Sequence, residues 1–297
     1  MGLEVSEMQE NCEKKAKTEE LKNILSSMTL NDKIEGKKVD GIISSNHKLI
    51  VKNLENPDES KYYVNQYPDT NGVKSIYALK EVNKYGSVLG LKSITTLLKE
   101  MGNPEKSLKV VHIAGTNGKG STMAFLNSIL MEAGYKVGRY SSPAVFEEDE
   151  IIQINNQNIE PNSLGEIITH IKEKCDYIAK TYGFHPTPFE IETALAFEYF
   201  KRKNCDIVLV ECGMGGATDA TNVFHKVLCS IIANISLDHT AFLGDTIEEI
   251  AMVKSGIIKA NCPVVVAKQQ KEICDVIREE AEKKNSHIVM AKEAQLD

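Results

Sequence analysis

The sequence predicts an α/β fold: a mainly parallel sheet with helices on both faces, preceded by a small amino-terminal extension. Three observations predict it. From about Val73 onward, short β-branched and apolar runs alternate with longer amphipathic stretches. Most of those runs are too uniformly apolar to leave one sheet face in water, so both faces need a helical cover. The first run, Val110 to Ala114, breaks directly into a glycine-rich loop with one lysine, Gly115-Thr116-Asn117-Gly118-Lys119-Gly120-Ser121. In an open sheet of this kind, ligands gather at the carboxyl ends of the strands.

The elements follow in chain order. Residues 1–75 form an extension without an assigned role, in which Val5 to Met28 suits an amphipathic helix and Gly41 to Val51 a short strand pair. Tyr67 to Gly72 reads as a linker, and 76–297 form the α/β domain. Ser93 to Met101 is a helix stopped by Gly102-Asn103-Pro104. Val110 to Ala114 is a buried strand, Gly118 to Glu132 a helix ended by Gly134, and Val137 to Ser141 a second strand. Ile151 to Ile159 alternates around Asn155-Asn156, as a hairpin does. Helices over Ser163 to Tyr182 and Phe189 to Lys203 lead to the strand Asp206 to Val210. Strands at Val227 to Ile235, Pro263 to Ala267 and His287 to Ala291 alternate with helices near Thr246 to Lys259 and Lys271 to Lys284.

Bulk properties narrow the function classes. A chain of 297 residues can build its core without disulfide staples, and its seven scattered cysteines match neither metal-ligand spacing nor a closed disulfide framework. The net charge of −7 argues against a broad nucleic-acid or membrane-surface footprint. No basic-then-apolar leader opens the chain, and no apolar run approaches the roughly 18 residues of a membrane span. A cytoplasmic protein with small-molecule partners is expected.

Chemically capable groups fall where the apolar strands end. The glycines of the loop let backbone N–H groups face a polyphosphate, Lys119 reaches its outer oxygens, and the next helix presents its positive end. The commonest P-loop has a hydroxyl residue directly after the lysine; here Gly120 intervenes before Ser121. The second strand ends in Tyr140-Ser141-Ser142-Pro143, and the strand Asp206 to Val210 runs into Glu211 before Gly213-Met214-Gly215-Gly216. Glu211 is an oxygen donor suited to Mg²⁺, or else a capping or ion-paired carboxylate. His239 follows another strand, where a metal or phosphate contact competes with an ordinary hydrogen-bonding role. Lys254 sits among apolar residues, either snorkelling or held uncharged by burial. Thr187-Pro188-Phe189-Glu190 is a capping box, and Asp219 to Asn222 a loop that fixes a turn or touches substrate.

Together these motifs resemble the folylpolyglutamate synthase and dihydrofolate synthase family within the Mur ligase superfamily. The likeness runs from about Tyr85 to Ala267 and is carried by Gly90-Leu91, the loop with its Gly120, Ser141-Ser142-Pro143, Phe189-Glu190, Glu211 to Asn222, Leu237 to Thr240 and Lys254 to Ile257. The resemblance implies ATP-dependent ligation of L-glutamate to a folate or dihydropteroate carboxylate through an acyl phosphate. It implies that Gly115 to Ser121 bind ATP, that Ser142 and Glu211 hold one Mg²⁺ and His239 a second, and that Lys254 is carbamylated. Lys119, Lys254 and His239 would serve catalysis, and Leu89, Gly90, Leu91, Thr187, Phe189, Glu190 and Asp219 the pterin.

Departures accompany the likeness. Ala144, Ile151 and Ala217 stand where the family usually has histidine, arginine and arginine, and Val253 replaces a frequent glutamate. Family members continue into a carboxyl-terminal domain that supplies most of the glutamate site, whereas this chain stops at Asp297. The expectation is a full-length monomeric enzyme of which these residues are the ATP and pterin part, with weak Mg-ATP binding and little ligation by themselves. A Mur-type amino-acid ligase and a non-catalytic nucleotide-binding module are the alternatives.

Overall fold

The computed structural model describes residues 90–144, 148–238 and 243–291, and in the first 89 residues the backbone of four short strands. The helix expected over Val5 to Met28 and the Tyr67 to Gly72 linker lie outside the described residues. The chain divides into two compact units, 1–70 and 71–297. In the first, β1 (Lys33–Ile34), β2 (Lys37–Ser45), β3 (Lys48–Asn53) and β4 (Tyr63–Val64) form an antiparallel sheet in sequential order. The strand pair expected over Gly41 to Val51 is β2 with β3, Ser45 standing opposite Lys48.

The second unit opens with α1 (Lys92–Glu100) and continues β5 (Val110–Ala114), α2 (Lys119–Glu132), β6 (Val137–Tyr140), β7 (Ile152–Ile154), β8 (Gln157–Asn158), α3 (Pro161–Tyr182) and α4 (Pro188–Arg202). It ends with β9 (Ile207–Glu211), β10 (Cys229–Ile232), α5 (Ile247–Ser255), β11 (Val264–Val266), α6 (Lys271–Lys283) and β12 (Ile288–Met290). The sheet order is β12-β11-β10-β5-β9-β6-β7-β8, parallel from β12 to β6 and closed at one edge by the antiparallel β7–β8 hairpin. Asn155 and Asn156 make that hairpin turn at φ 48° and 61°, the two positive values a two-residue I′ turn requires.

Alternation along the strands puts core on both sheet faces. Val110, Tyr140, Val208 and Val210 pack with Leu97 of α1, Ile167 of α3 and Phe197 of α4. The intervening Val111, Ile113, Val137 and Leu209 face the other way and pack with Met123 of α2. On the β10–β11 side, Ile232, Val264 and Val266 meet Ile250 of α5 and Ile273 and Ile277 of α6. Phe200 of α4 lies flat on the sheet because β6 carries Gly138 there: a Cβ would come within 2.7 Å of its ring. Burying a side chain of that size contributes about 1.5–3 kcal/mol.

Two elements are shorter than the sequence suggests. The strand expected over Val227 to Ile235 ends at Ile232, because the carbonyl of Asn234 is engaged by the glycine loop rather than by a ladder. The helix expected over Thr246 to Lys259 ends at Ser255, where Gly256 packs onto Ala217 so closely that a Cβ on the glycine would sit 2.5 Å from the alanine's. From β5 the chain steps out to β6 and the β7–β8 hairpin, returns to place β9 between β5 and β6, then crosses to β10 on the other side of β5. The reversal opens a crevice at the carboxyl end of β5, where the lysine loop begins.

Candidate functional site

The loop is fixed from behind. Thr116 and Asn117 both donate backbone N–H groups to the carbonyl of Asn234, at 2.7 and 3.2 Å. The Thr116 hydroxyl donates to the Ser236 carbonyl at 3.0 Å and accepts from the Ser236 N–H at 3.2 Å. Gly115 allows this contact, since a Cβ would lie 2.8 Å from that of Ala233. Gly118 turns the chain at φ 82° and starts α2, whose first turn no side chain caps. Those uncapped amides and the helix dipole favour an anion. A Cβ on Gly120 would meet no described atom within 4 Å, so protein packing does not demand that glycine.

Three charged side chains converge on the loop. Lys119 Nζ lies 3.7 Å from Glu211 Oε1 with side chains only 17% and 11% exposed, and it donates to the Thr116 carbonyl at 3.3 Å. Burial raises the Glu211 carboxyl above its ordinary range, against the opposing pull of Lys119 and Arg139. Lys254, buried on α5, donates from Nζ to the Gly115 carbonyl at 3.2 Å. Burial, and the nearby charge of Lys119, push its pKa down from the ordinary lysine value. Of the two sequence readings, burial rather than snorkelling describes Lys254. Glu211 is ion-paired, yet it remains an oxygen donor at a strand end.

Strand register supplies the next placement. Tyr140 pairs with Val210 and Ile113 with Glu211, so Ser142, two residues past Tyr140, stands at the same sheet rim as Glu211. A hydroxyl and a carboxylate are hard oxygen donors of the kind Mg²⁺ takes alongside phosphate oxygens and water. Among the described residues no group of three His, Cys, Asp or Glu is placed to cage a metal. His239 and Leu89 lie outside the described residues.

Where β6 and β9 end, a cavity of about 380 Å³ is lined among others by Gly90, Ser142, Thr187, Phe189, Glu190 and Asp219. Phe189 forms one wall, stacked with Tyr140 at 6.3 Å and seated over Gly213, where a Cβ would come 2.6 Å from the ring. Glu190 works twice. It completes the capping box of α4 with Thr187, and it also receives the Ser93 hydroxyl at 2.9 Å and the Ile94 N–H at 3.0 Å at the start of α1. Leu91 caps α1 and packs on the core rather than lining the cavity. Asp219 is buried, with Oδ2 accepting from Met214 N–H at 2.8 Å and Oδ1 from Thr221 N–H at 2.9 Å; burial raises its pKa.

Sequence reasoning passed over one support of this site. His112, fully buried in β5, reaches Thr221 Oγ1 at 2.9 Å and Cys212 Sγ at 3.1 Å. A polar residue inside an otherwise apolar strand was the available signal. Asn222 donates to the carbonyls of Ala217 and Gly256 at 3.0 and 3.1 Å while Lys259 Nζ donates to its Oδ1 at 2.6 Å, which ties the glycine turn to the end of α5. Of the departures, Ile151 packs against the core and Ala217 lies against Gly256.

Fold, loop and strand-end donors together define an α/β domain with a glycine-lysine loop at the carboxyl end of a central strand. The chain belongs to the Mur ligase family: residues 113–296 match the Mur ligase middle domain. It is 43% identical over 201 residues to the dihydrofolate synthase/folylpolyglutamate synthase of Bacillus subtilis, covering 67% of this chain and 46% of that protein. A folylpolyglutamate synthase from Thermotoga maritima superposes with a TM-score of 0.67 at 37% identity, over 73% of this chain and 50% of the other. A structure described as an FPGS-AMPPCP-folate complex superposes with a TM-score of 0.70 at 30% identity, over 74% and 54%. The chain thus spans about half the length of the relatives it matches. Among the described residues no helix is long and apolar enough to cross a membrane, and the six described cysteines are free thiols.

Proposed function

We propose that this chain is the ATP, Mg²⁺ and pterin part of a ligase that joins L-glutamate to a folate or dihydropteroate carboxylate. One observation carries the reading: Lys119, Glu211 and Lys254 converge on an uncapped helix start, and the strand ends that carry Glu211 and Ser142 run on into the lining of a cavity with an aromatic wall. The likeness to relatives bearing those names supports the acceptor class.

In the first step the acceptor carboxylate oxygen attacks the γ-phosphorus, the bond to the β-phosphate bridging oxygen breaks, and ADP leaves. The glutamate amine then attacks the acyl carbon, loses a proton and displaces inorganic phosphate. Lys119 and the first-turn amides of α2 bind the phosphoryl oxygens and offset the charge that spreads over them in transfer. Ser142 and Glu211 would hold Mg²⁺, which supplies charge neutralisation at the β- and γ-phosphates, with His239 a donor to a second ion. Lys254 is proposed to be carbamylated: a neutral amine adds to carbon dioxide, and burial favours the neutral amine. Phe189 would stack on the flat pterin, while Gly90 and Asp219 bound its edge.

Titration calorimetry tests this. AMPPCP with Mg²⁺, and folate or dihydropteroate, should bind the chain. Lys119→Ala should weaken AMPPCP by more than tenfold and leave the pterin nearly untouched. Absence of nucleotide binding, or nucleotide binding indifferent to Lys119→Ala, overturns the reading.

A further inference from the structure

We propose that His112, as the neutral tautomer protonated on Nε2, is a positioning residue that orients Asp219 at the wall of the acceptor cavity through the hydroxyl of Thr221. The inference rests on the proposed acceptor site for its functional half and on hydrogen-bond polarity for the rest.

The polarity is read outward from an ionised Asp219. Asp219 Oδ1 receives the Thr221 N–H at 2.9 Å and the Thr221 hydroxyl at 2.5 Å, and its Oδ2 receives the Met214 N–H at 2.8 Å. With donors on both oxygens, the carboxylate is the acceptor. Thr221 has a single hydroxyl proton, and of its two acceptors, Asp219 Oδ1 at 2.5 Å and Cys212 Sγ at 3.5 Å, the carboxylate is the nearer and the stronger. The Thr221 oxygen lies 2.9 Å from His112 Nε2, so it accepts there and the ring nitrogen carries the proton. Cys212 Sγ, 3.1 Å from the same nitrogen, shares that donor. His112 Nδ1 is buried with no hydrogen-bond partner among the described residues, the place for a bare nitrogen rather than a second proton. Burial independently keeps the ring neutral, its pKa pushed down to about 3 with Lys259 nearby.

His112 lies on β5, three residues ahead of the loop's first glycine, and its ring packs edge-on against Phe224 at 5.9 Å. It cannot drift without disturbing the strand. The chain His112 to Thr221 to Asp219 therefore ties the carboxylate to the rigid centre of the sheet. A carboxylate held at one orientation is ready to accept from a ligand N–H at no further ordering cost.

The test pairs a spectroscopic readout with binding. Ring ¹⁵N shifts of the whole chain should show His112 protonated on Nε2 and bare on Nδ1. Thr221→Val and His112→Phe should each weaken folate about tenfold with AMPPCP affinity unchanged within twofold. Thr221→Ser and His112→Gln, which keep a hydroxyl and an N–H donor, should restore folate to within threefold. A proton on Nδ1 overturns the proposal, whatever ligand binds. Equal loss of folate and AMPPCP in both apolar variants also overturns it, since a merely structural role would move both. Wild-type chain that binds AMPPCP but neither folate nor dihydropteroate overturns the acceptor class instead, and the functional half of this inference with it.

Discussion

The ammonium of Lys254 donates to the carbonyl oxygen of Gly115 across 3.2 Å, joining α5 to the first residue of the phosphate loop over 139 positions of sequence. Lys119 lies close enough to depress the proton affinity of the same amine. One loop thus meets two lysines in different settings, Lys119 at the helix start and Lys254 buried on α5 with its proton less tightly held.

That contrast predicts a pH-dependent modification. A lowered Lys254 pKa raises the neutral fraction at any pH below the ordinary 10.5, so carbamate should form more readily than on a surface lysine. In ¹³C-bicarbonate a single carbamate resonance should grow as pH rises from about 7 to 9 and vanish in Lys254→Arg, whose guanidinium stays protonated. No resonance at the upper end would sink the carbamate.

Lys119→Ala should do more than weaken nucleotide. It leaves Glu211, already raised by burial, without its cation, so the carboxyl should bind its proton at still higher pH. An infrared or NMR titration of Glu211 in the two proteins measures that shift. Because the folded-state pKa is raised, acidification through it should remove the proposed metal donor while leaving the fold no less stable on this account.

His112 governs the acid limb of stability. Its folded pKa of about 3 lies below the ordinary histidine value of 6.5, so between those values the unfolded chain binds a proton the folded chain refuses. Stability should therefore rise with pH through that window, by about 1.4 kcal/mol per pH unit for one proton. His112→Gln should flatten the slope by that amount in chemical denaturation from pH 7 downward. An unchanged slope would show that the histidine titrates normally.

Gly216→Ala should damage both halves of the site. A Cβ there would come 2.6 Å from the Val253 carbonyl and 2.8 Å from that of Lys254, backbone atoms of a helix that has no side chain to swing aside. Overpacking of this kind costs about 1–3 kcal/mol. Thermal unfolding should fall accordingly and AMPPCP affinity with it, because α5 carries Lys254. Gly120→Ala, which meets no described atom, should leave the melting temperature unchanged.

How much of this was legible in sequence depended on range. The strand Val110 to Ala114, the loop after it and the Thr187–Glu190 capping box follow from residues adjacent in the chain, and each is found where local rules put it. The strand-end rule also anticipated that Ser142 and Glu211 would share one rim, because a parallel sheet aligns its carboxyl ends. The second duty of Glu190, at Ser93 and Ile94, joins positions 96 and 97 apart, beyond any local pattern.

By itself, then, the sequence determined the alternation of strands and helices, the phosphate loop and the type of donor at each strand end, since these are written in periodicity and in residues next to one another. Only the tertiary structure decided that Lys254 is buried against Gly115, that Lys119 faces Glu211, and that His112 reaches Asp219 through Thr221. Those outcomes depend on strand order and helix packing, which set burial and proximity; charge state follows from both, and none of the three is a property of a residue and its neighbours in the chain.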